Sequence, residues 1–146
     1  MSAQAVESEK KRYFVDTNVF LRFLTNDHPA QANAVRRILQ RAVAGEILLQ
    51  TSVLVIAEIV WTLESYYQLS RQEVKAKVLA IVNTPGLRVE NADLILQAAL
   101  LYAEKNVDFI DAYNVHWMKQ HDIAQAYTFD LKHFSRAEGI RPLQPG

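Results

Sequence analysis

The fold of this 146-residue chain can be read outward from one stretch, Tyr13-Phe14-Val15-Asp16-Thr17-Asn18. Its first three residues are aromatic or β-branched, which favours a strand, and they run directly into a carboxylate. Beyond Asn18 the apolar residues follow helical spacing, at positions 19, 20, 23 and 24. We therefore predict a buried strand that ends at Asp16. Desolvation of that carboxylate must then be offset by a cation, a hydrogen-bond network or a reaction.

Strand and helix patterns alternate along the rest of the chain. This alternation predicts an α/β fold around a mostly parallel central sheet flanked by helices, in a single domain over 12–146. Residues 1–11 are polar and are predicted to form a disordered leader. The predicted strands are 12–16, 47–50, 87–89, 124–128 and an edge strand at 140–141, and the predicted helices are 17–24, 30–43, 51–67, 70–82, 92–105, 108–120 and a short one within 129–136.

Composition excludes several classes of function. The chain has no cysteine, so disulfides, thiol nucleophiles and thiolate metal sites are absent, and a cytoplasmic location is expected. Acidic and basic residues number 16 each, so any binding of a polyanion has to be local. Four glycines assemble neither a P-loop nor a dinucleotide-binding turn. No apolar run approaches the ~18 residues of a membrane span, so no membrane association is expected.

Several acids do not fit a purely structural role. Glu58 is the only charge in the twelve-residue apolar run 52–63, and Glu is rarely buried without a partner. Asp108 and Asp111 are three residues apart at the start of a predicted helix and share one face of it. Asp108 can equally serve as the N-cap of that helix. Asp111 lies too far along the helix to cap it, and small Ala112 follows it.

Asp130 lies just past the predicted strand 124–128, as Asp16 ends the first strand. Its alternative role is to cap the short helix that follows. In open α/β sheets, ligands bind beyond the carboxyl ends of the strands. We therefore predict that Asp16, Glu58, Asp111 and Asp130 converge on a divalent metal ion.

These motifs, taken in order, resemble those of the PIN-domain ribonucleases, and among them the VapC-type toxins of type II toxin–antitoxin pairs. The resemblance covers about residues 12–142 and implies a single three-layer PIN-like domain. It implies RNA cleavage that depends on Mg²⁺ or Mn²⁺, a frequent homodimer, and inhibition by a cognate antitoxin lying over the active-site groove. Asp16, Glu58 and Asp111 match the three principal acids of that family and Asp130 the fourth. The resemblance also implies supporting roles for Asn18, Thr128 and Asp108.

The chemistry of hard oxygen ligands without cysteine favours Mg²⁺ or Mn²⁺ over zinc. One ion can activate a water and polarise a phosphate, whereas two ions can clamp the attacking and leaving oxygens. The one-ion and the two-ion site both remain open. Without metal, clustered carboxylates repel one another, so at least one pKa is expected to rise.

Other residues receive weaker predictions. The four histidines, at 28, 116, 121 and 133, lack ligand spacing, so we expect surface or packing roles for them. Trp61, Tyr66 and Tyr67 are expected to pack in the core rather than form an exposed patch. A local basic rim is expected to hold RNA, with the candidates Arg36, Arg37, Arg41, Lys75, Lys77 and Lys132.

The sequence is compatible with three functions. The first is a metal-dependent endoribonuclease in which a metal-activated water cleaves RNA phosphodiesters. The second is a phosphatase with Asp16 as nucleophile, which is disfavoured because Asn18 stands where the common aspartyl-phosphate pattern has a second Asp. The third is a non-catalytic binding module that keeps only the fold.

Overall fold

The structure is a computed structural model that describes residues 9–146, so most of the predicted leader lies outside the described residues. Helices and strands alternate as predicted, which confirms the α/β class. In chain order the elements are β1 (Arg12–Phe14), α1 (Thr17–Thr25), α2 (Pro29–Val43), β2 (Leu48–Thr51), α3 (Val53–Ser65), α4 (Arg71–Val82), β3 (Leu87–Val89), α5 (Ala92–Lys105), α6 (Phe109–Gln120), β4 (Gln125–Tyr127), α7 (Leu131–Ser135) and β5 (Arg141–Leu143).

All strand pairs within residues 9–146 are parallel, but they form two sheets rather than one central sheet. β1, β2 and β3 form a three-stranded sheet in that order, and β4 pairs only with β5. Tyr13 is in register with Leu49, which in turn is in register with Leu87. The sequence pattern identifies strands but not their partners, which is why the second sheet was not foreseen.

The first strand is exposed, and the prediction that it is buried is wrong. Tyr13 is 46% and Phe14 is 64% exposed, and only Val15, just past the strand, is buried. β1 is an edge strand of its sheet, so one side of it has no neighbouring strand. Asp16, which follows, is also exposed. The large desolvation cost expected at this carboxylate is therefore absent.

Two hydrophobic clusters stabilise the described part of the chain. The larger joins the three-stranded sheet to α1–α6 and contains fully buried Ile56, Leu63 and Ile95. The smaller gathers Val115 and Met118 of α6 with residues of the 134–140 segment. Since α6 contributes to both clusters, it links the two sheets.

Local signals place the helix starts where the sequence predicts them. Ser70 accepts a hydrogen bond from the backbone N–H of Glu73, which is the first bond of the expected capping box. The Glu73 carboxylate accepts the Ser70 hydroxyl at 3.1 Å in place of the Ser70 backbone N–H. Ser52 caps α3 through the backbone N–H of Val55. None of the helices in the described chain is long and apolar enough to cross a membrane.

Candidate metal centre at the start of α6

Three side chains that can bind metals meet where α6 begins. The ligand atoms of Asp108, Asp111 and His133 all lie within 4.8 Å of one another. Nδ1 of His133 is 3.4 Å from the Asp111 carboxylate and 3.6 Å from that of Asp108. Asp130 also belongs here, because its carboxylate lies 2.8 Å from the same nitrogen. We call these four residues the carboxylate–histidine cluster.

The two acids of the first segment are brought together by the helix itself. Asp108 occupies the N-cap position of α6, and Asp111 follows one turn later on the same face. The alternative that Asp108 acts as a capping side chain is wrong, because it makes no cap hydrogen bond. Its carboxylate pairs instead with Arg71 at 3.3 Å. Both acids therefore point toward the cluster end of the helix, where the helix dipole favours negative charge.

Asp130 and His133 come from the start of α7. The Asp130 carboxylate accepts the backbone N–H of His133 at 3.3 Å, so it caps α7, and it also holds the imidazole ring. The hydroxyl of Thr128 accepts the backbone N–H of Asp130 at 2.9 Å. Thr128 thus supports the loop that carries Asp130, and its supporting role in a reaction site stays a prediction.

The electrostatics of the cluster differ between its members. Burial raises the pKa of the Asp111 carboxyl above its ordinary value, and the charges of Asp130 and Asp108 raise it further against the opposing effect of His133. The expected rise is thus present, although burial rather than repulsion is its largest cause. Hydrogen bonds from the ring and backbone of His133 lower the pKa of Asp130. Asp130 consequently stays ionised beside a carboxyl that is easier to protonate.

Arg71, at the start of α4, holds the backbone just before the cluster. Its Nη1 donates to the carbonyl oxygens of Tyr102 at 3.0 Å and Val107 at 2.8 Å. Its guanidinium lies 4.4 Å from the centre of the Tyr102 ring, and Nη2 reaches Asp108. The α5–α6 connection and Asp108 are therefore fixed by one side chain. Its contacts all come from distant parts of the sequence, which gave no signal for this role.

Asp16 and Glu58 lie outside the cluster. Asp16 caps α1 by accepting the backbone N–H of Thr17 at 2.8 Å. Glu58 is exposed on α3, whose buried face is formed by other residues. Among residues 9–146, neither belongs to a group of three or more ligand side chains within 4.8 Å. Asn18 is exposed beside Asp16. The convergence of Asp16 and Glu58 on a metal ion remains a prediction.

His133 is not among the predicted site residues, and the prediction of a surface or packing role is wrong for it. The missed signal is the spacing of Asp130 and His133, three residues apart at a helix start, which places the ring over the capping carboxylate. The other partly buried histidine, His116, follows the expectation, because burial lowers its pKa and keeps it neutral.

The basic residues proposed for an RNA-binding rim have varied surroundings. Arg36 donates to Asn33 and lies over the Phe23 ring, and Arg41 pairs with Glu46 at 3.2 Å. Arg37, like these two, is exposed on α2. Of the basic candidates, the one nearest to the cluster in sequence is Lys132, which is exposed beside His133 on α7. A shared RNA-binding role for these residues stays a prediction.

A cavity of about 260 Å³ opens beside the cluster, between α3 and α6. Asp108 and Asp111 belong to both the cavity wall and the cluster, and Trp61 and Glu64 line the α3 side. The expectation that Trp61 and Tyr66 pack in the core is wrong, because they are 67% and 76% exposed. The cavity therefore combines acidic ligands with apolar surface, as ligand sites commonly do.

Comparison with known proteins gave one family match. The profile of the PIN domain family matches residues 13–140. Among solved structures, the chain is similar to the crystal structure of Mycobacterium tuberculosis VapC20, described as a Sarcin-Ricin loop cleaving toxin. Identity is 25%, the match covers 84% of this chain and 92% of that chain, and the TM-score is 0.39. A search among curated proteins returned no match. Because the TM-score is low, the assignment to a family rests on the profile alone.

Proposed function

This chain belongs to the PIN domain family, and from that premise we propose that it is a divalent-metal-dependent endoribonuclease, the toxin of a toxin–antitoxin pair. The observation that carries the proposal is the carboxylate–histidine cluster beside an open cavity. Converging acids and an imidazole in a cleft, with one carboxyl of raised pKa, are typical of a functional site.

The donor set fits a divalent ion. Carboxylate oxygens suit Mg²⁺ and Mn²⁺, whereas an imidazole nitrogen is a poorer partner for Mg²⁺, which prefers oxygen and keeps several waters. The carboxylates of Asp108 and Asp111 suit either ion, and a His133 nitrogen released from Asp130 to join them would favour Mn²⁺ over Mg²⁺. When bound, the ion would supply positive charge to a phosphodiester and acidify the attacking water.

The protein's own residues then have separate roles. Asp108 and Asp111 are proposed to hold the ion, with Arg71 restraining Asp108. Asp130 is proposed to hold the His133 ring beside the two acids through the 2.8 Å contact at Nδ1, the same nitrogen that faces Asp108 and Asp111. Because burial raises the pKa of Asp111 while the bonds from His133 lower the pKa of Asp130, Asp111 takes up a proton before Asp130 does when no metal is present.

We keep Asp16 and Glu58 in the proposed site for reasons of position. Glu58 follows Ala57 and precedes Trp61 by three residues, and both of these line the cavity. Residues three apart on a helix are neighbours, and from this spacing we propose that Glu58 lies near the cavity, although it is not one of the lining residues. Asp16 follows β1 at the carboxyl end of the parallel sheet, where ligands bind in open α/β folds. Their substitution is therefore part of the test.

Cleavage of single-stranded RNA by the full chain tests the function. We expect cleavage with Mn²⁺, slower cleavage with Mg²⁺, and none with EDTA. Asp111→Asn and His133→Ala should each lower the rate at least ~100-fold, since charge stabilisation at a reacting phosphate is usually a large term. The matched control is Asp93→Asn, an exposed acid in the first turn of α5, which should keep the wild-type rate.

Two results would contradict the proposal. Full activity in folded Asp111→Asn and Asp16→Asn proteins would exclude the carboxylates from the reaction. A wild-type protein that binds RNA but never cleaves it would favour a non-catalytic binding module. A stable beryllium fluoride adduct at Asp16 would instead point to a phosphatase.

The proposed partners follow from the same assignment. We propose that a cognate antitoxin covers the groove, that the toxin is a homodimer, and that it acts in the cytoplasm where its RNA substrate is found. Light scattering after gel filtration measures the oligomeric state. Growth arrest on expression, relieved by the product of the adjacent small gene, would identify the antitoxin. Absence of both arrest and relief would contradict the toxin assignment while leaving the nuclease activity to be judged by cleavage.

A further inference from the structure

We propose that the cavity between α3 and α6 binds one unpaired base of the RNA substrate, stacked on Trp61. This inference rests on the proposed nuclease function and names the subsite that positions the substrate. Two residues distinguish the cavity from an ordinary surface depression: Trp61 is 67% exposed and Ile110 is 62% exposed, on opposite sides of it. Their apolar surfaces are available to a flat ligand.

Trp61 is not used by the protein's own packing. The buried face of α3 is formed by Val55, Ile56, Ile59, Val60 and Leu63, and the indole lies outside it. In the described range 9–146, the aromatic and cation–π contacts involve other rings, such as Trp117 stacked on His121 with centroids 4.0 Å apart. A tryptophan that is exposed beside the proposed reaction site, and whose ring makes none of these contacts, is suited to binding a ligand.

The chemistry of the neighbouring cluster selects a base as the occupant. Asp108 and Asp111 form part of the cavity wall and part of the proposed metal site, so a phosphate held there lies directly beside the cavity. In RNA each phosphate is joined through one sugar to a base. Unpaired bases stack on aromatic side chains, and this is the usual way in which proteins bind single-stranded RNA.

The polar part of the cavity also suits a base. Glu64 lines the α3 side, and its carboxylate accepts a hydrogen bond from the hydroxyl of Tyr102. Tyr102 is almost fully buried, and Arg71 lies over its ring, so this hydrogen bond fixes the Glu64 carboxylate in place. The carboxylate has further acceptor capacity, which can pair with the N–H groups on the edge of a base. A purely apolar occupant would leave that capacity unused.

The two tryptophans of the chain allow a direct test. Trp117→Phe leaves Trp61 as the only indole, and Trp61→Phe leaves only Trp117, which lies on α6 outside the cavity lining. RNA hexanucleotides that each contain one type of base are titrated into the protein in the presence of Ca²⁺. Ca²⁺ binds carboxylate oxygens but polarises a phosphate less than Mg²⁺ does, so binding is measured with little cleavage. We expect saturable quenching of Trp61 fluorescence in Trp117→Phe and no quenching in Trp61→Phe.

Affinity provides the second readout. Base–aromatic stacking measured by alanine substitution implies that Trp61→Ala weakens RNA binding about 5- to 150-fold. Trp61→Phe should keep most of the affinity, because a phenyl ring still stacks. Since Trp61 is exposed, these variants are expected to fold, and circular dichroism checks this. A hexanucleotide with one abasic position should bind the wild-type protein less tightly than the complete hexanucleotide does. Trp61→Ala should bind the two hexanucleotides with equal affinity.

Each outcome is decisive. Wild-type RNA cleavage combined with unchanged Trp61 fluorescence and unchanged affinity in Trp61→Ala would overturn the base subsite and leave the proposed function standing. Wild-type protein that neither binds nor cleaves RNA would overturn both. Trp61 fluorescence that responds to a protein inhibitor but not to RNA would assign the cavity to a protein side chain and overturn the subsite.

Discussion

Removal of the Arg71 side chain is expected to destabilise the protein strongly. Arg71→Ala leaves the carbonyls of Tyr102 and Val107 without the donor that now lies 3.0 and 2.8 Å away. Hydrogen bonds to charged groups contribute about 1.5–3 kcal/mol each, and we take the lower value because the side chain is 29% exposed. The ion pair with Asp108 is largely exposed and adds roughly 0–1 kcal/mol. The free energy of unfolding should therefore fall by about 3 kcal/mol.

Urea denaturation followed by circular dichroism measures this loss, and the melting temperature should fall by about 6–12 °C. Arg71→Lys should lose about half as much, since a single ammonium cannot reproduce the arginine fork. The control is Arg37→Ala, an exposed arginine of α2, which should stay within about 0.5 kcal/mol of wild type. If Arg71→Ala costs less than about 1 kcal/mol, then Arg71 does not hold the α5–α6 connection as described.

Further predictions concern metal binding, a glycine and a histidine. At 100 times its Kd, Mn²⁺ should raise the free energy of unfolding by about 2.7 kcal/mol, and a melting temperature indifferent to both Mn²⁺ and Mg²⁺ would argue against the site. Gly86→Ala should cost about 3 kcal/mol in urea denaturation, because φ is +79° and a Cβ would lie 2.3 Å from the Ala42 carbonyl oxygen. Gly139→Ala has a similar φ of +81° but open surroundings, so about 1 kcal/mol is expected, and equal losses would contradict the steric explanation. Burial lowers the pKa of His116, so below pH ~6.5 the unfolded chain binds a proton that the folded chain does not, and stability falls as pH decreases. His116→Gln should flatten this part of the stability–pH curve. An unchanged slope would show that other groups cause the fall in stability.

The local parts of the fold were predictable from the sequence for a physical reason. A capping box, a helix start after a serine, or a strand of β-branched residues depends on neighbours a few positions away. The hydrogen bonds between Ser70 and Glu73 follow directly from their spacing. Family membership was likewise accessible, because the motifs around Asp16, Glu58, Asp111 and Asp130 follow one another in the right order.

The candidate site was only partly predictable. Asp108 and Asp111 share a helix, and their proximity follows from helical geometry. The approach of His133 to them depends on where α7 packs, which no local pattern encodes. The same holds for Arg71, whose partners lie more than thirty residues further along the chain. Exposure of Trp61 also depends on which helix faces pack together, and its apolar neighbours suggested the opposite.

Residue types and spacing were enough to identify an α/β chain with acids at element ends, because propensity, capping and helical periodicity act over a few residues. Tertiary packing alone determined that β1 lies at an exposed edge, so that Asp16 is a solvent-exposed cap of α1. It also brought His133, rather than Asp16 or Glu58, to the acids of α6. Burial and contacts between distant segments depend on how the whole chain packs, and a linear pattern contains that information only indirectly.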